Sequence, residues 1–228
     1  MKKLIAMGLT VIMTAVAVCG CGSSDSGNDA KKSDSQTKQQ AVKVIDVDLT
    51  SEEYAFGVDK NKPELLTQVN DFIKEIKDNG TFDEICNKYF GGGNPTPVKS
   101  EKLDTSKDQL LVATNASFEP FEYMKGDSYY GIDMEIAAAL AKKLNKELVI
   151  QNMEFDSVCL SVGQHKSDVA MAGLTVKEDR KKYVNFSDTY YNAAQRLIVK
   201  GDSTEFDSCK DKACLLYTSP SPRDMRRS

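Results

Sequence analysis

The chain has 228 residues, with 30 Lys+Arg against 34 Asp+Glu and a net charge of −4. This acidic balance argues against nucleic acid as a partner. One histidine and six scattered cysteines provide no metal-ligand spacing, and no cofactor is implied.

Lys2 and Lys3 precede an apolar run from Leu4 to Val18. Its charge and length are those of a signal peptide over residues 1–20, too short for a good membrane span. Val18-Cys19-Gly20-Cys21 has the form of a bacterial lipobox. Gly20 supplies the small residue before the cut, so Cys21 is the expected lipidated residue; Cys19 fits worse because Val18 precedes it. From Gly22 to Gln40 there is no large apolar side chain, so residues 21–41 read as a disordered tether between lipid and folded domain.

The folded body starts at Val42. Val42–Leu49 alternates and predicts a strand, and Tyr54–Val58 predicts a second. Pro63 opens a helix with Leu65, Leu66, Val69, Phe72, Ile73 and Ile76 on one face, closed by Asn79-Gly80. Thr81 and Glu84 form a capping box for a short helix carrying Phe82, Ile85 and Tyr89. Gly91-Gly92-Gly93 and Pro95, Pro97 mark a linker over 91–107. Then follow a strand (109–114), a loop, a helix (132–144), a strand (147–151), a helix (155–164), a strand (168–171), a helix (175–183) and a strand (196–200). Strands alternating with helices imply an α/β fold with a mixed, mostly parallel sheet flanked by helices. Ligands on such sheets bind at the carboxyl ends of strands.

One stretch, Ala172-Gly173-Leu174-Thr175-Val176-Lys177-Glu178-Asp179-Arg180, lies at such an end. Thr175 and Glu178 form a capping box, which predicts a helix start with unpaired N–H groups and a partial positive charge. Gly173 allows close approach to the main chain, and Arg180 offers a fork that matches a carboxylate. Together they form a cradle for a small carboxylate. Other polar residues are less informative. Glu119 and Glu122 read as a solvated loop, His165 as surface, and Lys181-Lys182 as a solvated helix face. Cys86, Cys159 and Cys209, an odd number once the leader and tail cysteines are set aside, do not read as a disulfide framework, and Cys86 and Cys159, both in helical patterns, read as buried thiols.

Several linked motifs carry a resemblance. Leu111–Tyr123 with its Phe-Glu-Pro-Phe-Glu run, Tyr130–Ile136, Asn152–Asp156, Ala172–Arg180 and Val184–Tyr191 follow in an order and spacing that resemble family 3 extracellular solute-binding proteins. These are the amino-acid receptors of ABC importers, and the glutamine-binding members look most similar. The resemblance covers about residues 108–205. It implies a lobe of the type II periplasmic-binding-protein kind and a ligand held between two lobes. By the same resemblance, Arg180, Thr175 (hydroxyl and N–H) and Gly173, with Ala172 beside it, take the ligand carboxylate. Phe118 and Phe155 lie around its aliphatic part. Asn115 stands where glutamine-binding members have an aspartate, which disfavours a strongly basic ligand. The family's acidic anchor for the ammonium belongs to the second lobe, and no position for it is found here.

The order of segments departs from the family. Residues 42–90 resemble the family's carboxyl-terminal segment, yet they precede 108–205. A circular permutation is expected, with a partial duplication as the alternative. Residues 206–228 read as a disordered tail. Cys214–Asp224 resembles the translation of a sequencing-library adapter, so 214–228 are expected to be foreign sequence and the second lobe to be largely missing. The expected role is a lipid-anchored, extracytoplasmic receptor handing a polar amino acid, glutamine-like, to an ABC permease, without enzymatic activity. A sensor domain and a dehydratase-like enzyme are the alternatives.

Overall fold

The computed structural model describes residues 42–211 and Cys214. The expected signal peptide, Cys21 with its tether, and the tail beyond Cys214 lie outside the described residues.

The early segment forms β1 (Val42–Asp48), β2 (Glu52–Tyr54), β3 (Gly57–Asp59), α1 (Pro63–Asp78) and α2 (Thr81–Phe90). The later segment forms β4 (Gln109–Thr114), β5 (Ser117–Phe118), β6 (Glu122–Lys125), β7 (Ser128–Tyr130), α3 (Ile132–Lys143), β8 (Glu147–Asn152), α4 (Phe155–Gly163), β9 (Val169–Ala170), β10 (Val184–Phe186), β11 (Tyr191–Ala193) and β12 (Arg196–Lys200). The main sheet runs β10-β3-β9-β4-β8. β4 is parallel to β8 and β9, whereas β3 is antiparallel to both β9 and β10. A strand of the early segment therefore lies inside the sheet of the later one.

Packing shows the same interdependence. α1 buries Leu65, Val69, Phe72, Ile73 and Ile76, the face its sequence periodicity predicts. These side chains share one core with Leu110, Val112, Ile136, Leu140, Val169 and Met171. Each such burial is worth roughly 1.5–3 kcal/mol, so neither segment leaves its apolar face in water. Glu135 on α3 ties down the junction. It receives the Lys88 ammonium, the Tyr89 hydroxyl at 2.7 Å and the Thr96 backbone N–H at 3.1 Å.

Several expectations need correction. The strand expected over 54–58 is split: β2 pairs with β11, while β3 enters the main sheet. Between them, Ala55 N–H donates to Leu174 and Phe56 N–H to the Ser187 hydroxyl, so the chain changes partners there. The N-cap of α2 is Gly80 in the left-handed region (φ 82°), not Thr81, which is already helical. The helix expected over 175–183 is absent, and residues 178–183 form turns. Thr175 is instead bridged to Tyr54, and Val176 N–H donates to Glu53. The residues meant to start the helix are thus drawn into extended pairing with β2. Lys181 bonds Glu178 across these turns rather than on a helix face.

Cysteine pairing also differs. Cys209 is bonded to Cys214, the cysteine set aside with the tail, while Cys86 and Cys159 are free. Phe206, which the sequence places in the tail, is buried against Ile45, with Val47, Leu197 and Val199 around them. That small cluster sits on the antiparallel β1–β12 ribbon, which is separate from the main sheet. His165 keeps half of its side chain exposed, but its Nδ1 lies 2.8 Å from the buried Asp59 carboxylate.

One backbone approach positions the site. Gly131 (φ 125°) opens α3 where Ile132 and Asp133 donate to the Pro120 and Phe121 carbonyls. A Cβ at Gly131 would meet the Phe121 oxygen at 2.0 Å. Gly131→Ala is expected to cost roughly 3 kcal/mol or more of unfolding free energy, combining clash with a disfavoured φ. Urea unfolding reads this directly, and a loss below about 1 kcal/mol would contradict so close an approach.

Candidate functional site

The carboxyl ends of β4 and β9 open onto a cleft of about 390 Å³. Asn115, Phe118, Phe155, Ala172, Gly173, Thr175 and Arg180, all seven expected binding residues, line it. Two larger hollows, of about 800 and 770 Å³, lie towards the amino ends of β4 and β8. Size alone would point to the wrong edge of the sheet, because these folds present ligands at carboxyl ends.

Asn115 follows β4 and is held from both ends of its amide. Its Nδ2 donates to the Met153 carbonyl at 2.8 Å, and its Oδ1 accepts from the Ser117 hydroxyl at 2.6 Å. Phe118 on β5 stacks on Phe121 at 5.6 Å between centroids and remains 44 % exposed. Phe155 begins α4 and is 39 % exposed. The Arg180 guanidinium lies over its ring, 5.0 Å from the centroid. One Arg180 nitrogen, Nη1, donates to the Thr175 carbonyl at 2.9 Å, which orients the fork. Two aromatic faces and a guanidinium thus border one cleft, suited to a small molecule with an apolar middle and a carboxylate end.

Three expected details change. No helix start is present at Thr175, so no helix dipole contributes there. The Gly173 N–H donates to Asp133 Oδ2 at 2.9 Å and is not offered to a ligand. Gly173 (φ 51°) is needed for another reason: a Cβ there would lie 3.0 Å from the Phe118 ring. The Thr175 hydroxyl donates to Glu52 Oε2 at 3.0 Å. Its single proton is spent, so it cannot also donate to a carboxylate.

The sequence reading missed Glu52, Tyr54, Glu122, Lys177 and Gln195, which also line the cleft. Glu52 and Tyr54 arrive on β2, far away in sequence, and no local pattern marks them. Glu122 was read as solvated, yet it is 1 % exposed and its Oε2 has no hydrogen-bond partner among the described residues. Burial, and secondly the nearby Asp133, push its carboxyl up to about 11. Asp133 is also fully buried, which raises it to about 7 against the pull of two donors, Gly173 N–H and the Tyr190 hydroxyl. No local signal marked this burial: a period of two puts Phe121 and Tyr123 on one face and Glu122 on the other. Burial, then the charge on Glu52, likewise raise the Tyr54 hydroxyl to about 12.

Residues 10–92 and 110–225 match the sequence profile of bacterial extracellular solute-binding proteins, family 3. The chain belongs to this family. Among similar proteins, the arginine-binding extracellular protein ArtP of Bacillus subtilis (strain 168) is 40 % identical over 100 residues, covering 44 % of this chain and 39 % of that protein. The arginine-binding periplasmic protein of Mannheimia haemolytica is 34 % identical over 108 residues, covering 46 % and 45 %. Among solved structures, an ancestral arginine-binding protein bound to arginine is 38 % identical over 37 % of this chain and 38 % of its own, with a TM-score of 0.36. This family 3 chain spans less than half the length of the curated relatives named here.

Proposed function

We propose that this family 3 chain is the substrate-binding component of an ABC importer for a polar amino acid and is not an enzyme. The observation that carries the reading is the convergence of all seven expected residues on one cleft, with Arg180 held over Phe155 at its rim. A glutamine-like ligand is favoured over arginine, because Asn115 adds no charge where an aspartate would strengthen the hold on a second cation. The relatives named for arginine make arginine the necessary comparison ligand. Calorimetric titration of the protein with glutamine, arginine, histidine and cystine tests this. The titration is made on the protein carrying both lobes, because one wall of a two-lobe site holds a ligand weakly; binding of none of them there would overturn the receptor reading, and arginine binding tighter than glutamine would overturn the preference.

The cleft is one wall of a two-lobe site, and β2–β11 and β1–β12 are the crossings about which the lobes close. The early segment's place inside the later segment's sheet supports a circular permutation. The relatives' extracellular and periplasmic placement supports an extracytoplasmic protein, held at the membrane through lipid on Cys21 beside its permease. Cys21→Ser is expected to abolish metabolic lipid labelling and release the protein from membranes, because the polar tether has no membrane affinity of its own. Labelling lost instead in Cys19→Ser would move the anchor.

A further inference from the structure

Resting on the amino-acid reading above, we propose that Tyr190, which does not itself line the cleft, is a positioning residue that acts through Asp133 to hold the Gly173 loop in its binding geometry. Asp133 on α3 divides its carboxylate between two donors. Its Oδ1 accepts the Tyr190 hydroxyl at 2.6 Å, and its Oδ2 accepts the Gly173 N–H at 2.9 Å. Both acceptor oxygens are sealed from solvent, since Asp133 and Tyr190 are 0 % and 2 % exposed. Tyr190 is in turn pinned to the early segment. Its ring stacks on Phe56 at 4.3 Å, and its N–H donates to the Tyr54 carbonyl at 2.9 Å, where β11 begins to pair with β2. A chain of contacts thus runs from the β2–β11 crossing through Tyr190 and Asp133 to the cleft.

The Gly173 end of that chain is where a small displacement matters. Ala172, Gly173 and Thr175 all line the cleft, and the Phe118 ring lies so near Gly173 that a Cβ there would approach it to 3.0 Å. An ionised Asp133 grips the Gly173 N–H more strongly than a neutral one, because a hydrogen bond to a charged acceptor is about twice as strong. The Tyr190 hydroxyl favours that ionised form, opposing the burial that raises the Asp133 carboxyl to about 7. The other titratable groups that face Asp133 are Glu122 on β6, Tyr54 on β2 and Cys86 on α2. Burial raises them to about 11, about 12 and about 11, so each keeps its proton near neutral pH and Asp133 alone among them changes charge there. His165, the one histidine, follows α4 and does not line the cleft.

Titration across pH separates ionisation from fold. The protein carrying both lobes is titrated by calorimetry with L-glutamine and L-arginine from about pH 5.5 to 8, unmodified, as Tyr190→Phe, and with 3-fluorotyrosine in place of Tyr190. Phenylalanine keeps the stack on Phe56 and removes only the hydroxyl, whereas fluorotyrosine keeps both and donates more strongly. Affinity of the unmodified protein is expected to rise by roughly fivefold or more across this range as Asp133 ionises. Tyr190→Phe is expected to move the rise to higher pH, lowering affinity at pH 7 by roughly fivefold, and fluorotyrosine to move it to lower pH. A purely structural role would lower affinity by the same factor at every pH. An affinity that is flat with pH in the unmodified protein, or a rise whose position neither replacement moves, overturns the role of Tyr190 and leaves the receptor reading standing. If neither amino acid binds, this inference falls, and the receptor reading falls with it when histidine and cystine are unbound as well.

Discussion

Arg180→Ala is expected to abolish amino-acid binding while leaving the melting temperature nearly unchanged. The guanidinium is half-buried, oriented by the Thr175 carbonyl and backed by the Phe155 ring. It lines a cleft in which two other expected donors are already committed: Gly173 N–H to Asp133 and the Thr175 hydroxyl to Glu52. A ligand carboxylate would then rely on Arg180 more heavily than a shared cradle would require. Losing one member of a desolvated charged pair costs roughly 2–5 kcal/mol, or more than tenfold in affinity. The fold is insensitive because Arg180 sits in a turn and forms no ion pair among the described residues. Arg180→Lys should also bind poorly, since a point charge does not reproduce the fork. Calorimetry with the preferred amino acid, paired with a thermal melt, decides this, and near-wild-type affinity in Arg180→Ala would remove the residue from the site.

Glu122→Gln is expected to stabilise the protein, and by more at alkaline pH than at acid pH. Glu122 and Asp133 are 1 % and 0 % exposed. The proton belongs on Glu122, because Asp133 has two donors stabilising its charge and Glu122 Oε2 has none among the described residues. In the unfolded chain, Glu122 titrates near 4.5; in the fold it is pushed up to about 11. A raised carboxyl contributes stability in full below its unfolded value and loses it as pH rises towards its folded value. Between those limits the unfolded state releases a proton that the fold retains, a slope of up to about 1.4 kcal/mol per pH unit. Asp133, moved from 3.8 to about 7, adds a slope of the same sign over a narrower window. Tyr190 and Tyr54 are held above their ordinary value by burial and remain neutral across this range. Glutamine cannot ionise, so the gap in melting temperature between variant and wild type should widen from pH 5 to pH 9. An equal gap at both values would mean that Glu122 is not the group holding the proton.

The buried carboxyls also explain how the site is maintained. Asp133 opens α3, with its backbone fixed by the Gly131 approach to Phe121. From there it holds both Gly173 in the cleft and Tyr190, which stacks on Phe56 at 4.3 Å. A residue buried in the core thus sets the position of the Gly173 loop without lining the cleft itself.

Local pattern was sufficient for elements whose partners lie on a single face. The periodicity of Leu65–Ile76, the alternation of Val42–Asp48 and the run Gln109–Thr114 each specify an element by side chain alone, because burial on one face imposes a period of 3.6 or 2. The motifs around Asn115, Phe118, Phe155, Ala172–Gly173, Thr175 and Arg180 were grouped through the resemblance to family 3, and the fold brings them to one cleft because they follow the carboxyl ends of β4, β8 and β9. What tertiary structure decided was the assignment of hydrogen-bond partners. The capping box at Thr175 was a sound local signal, but β2 competed for the same backbone and hydroxyl groups and drew the segment into extended pairing. Glu52 reached the cleft by that same crossing, from more than a hundred residues away. Glu122, a charged residue two positions after Pro120, had every local mark of a solvated loop. It is buried because β6 packs beneath the cleft against α3, and a charge is tolerated there only by keeping its proton.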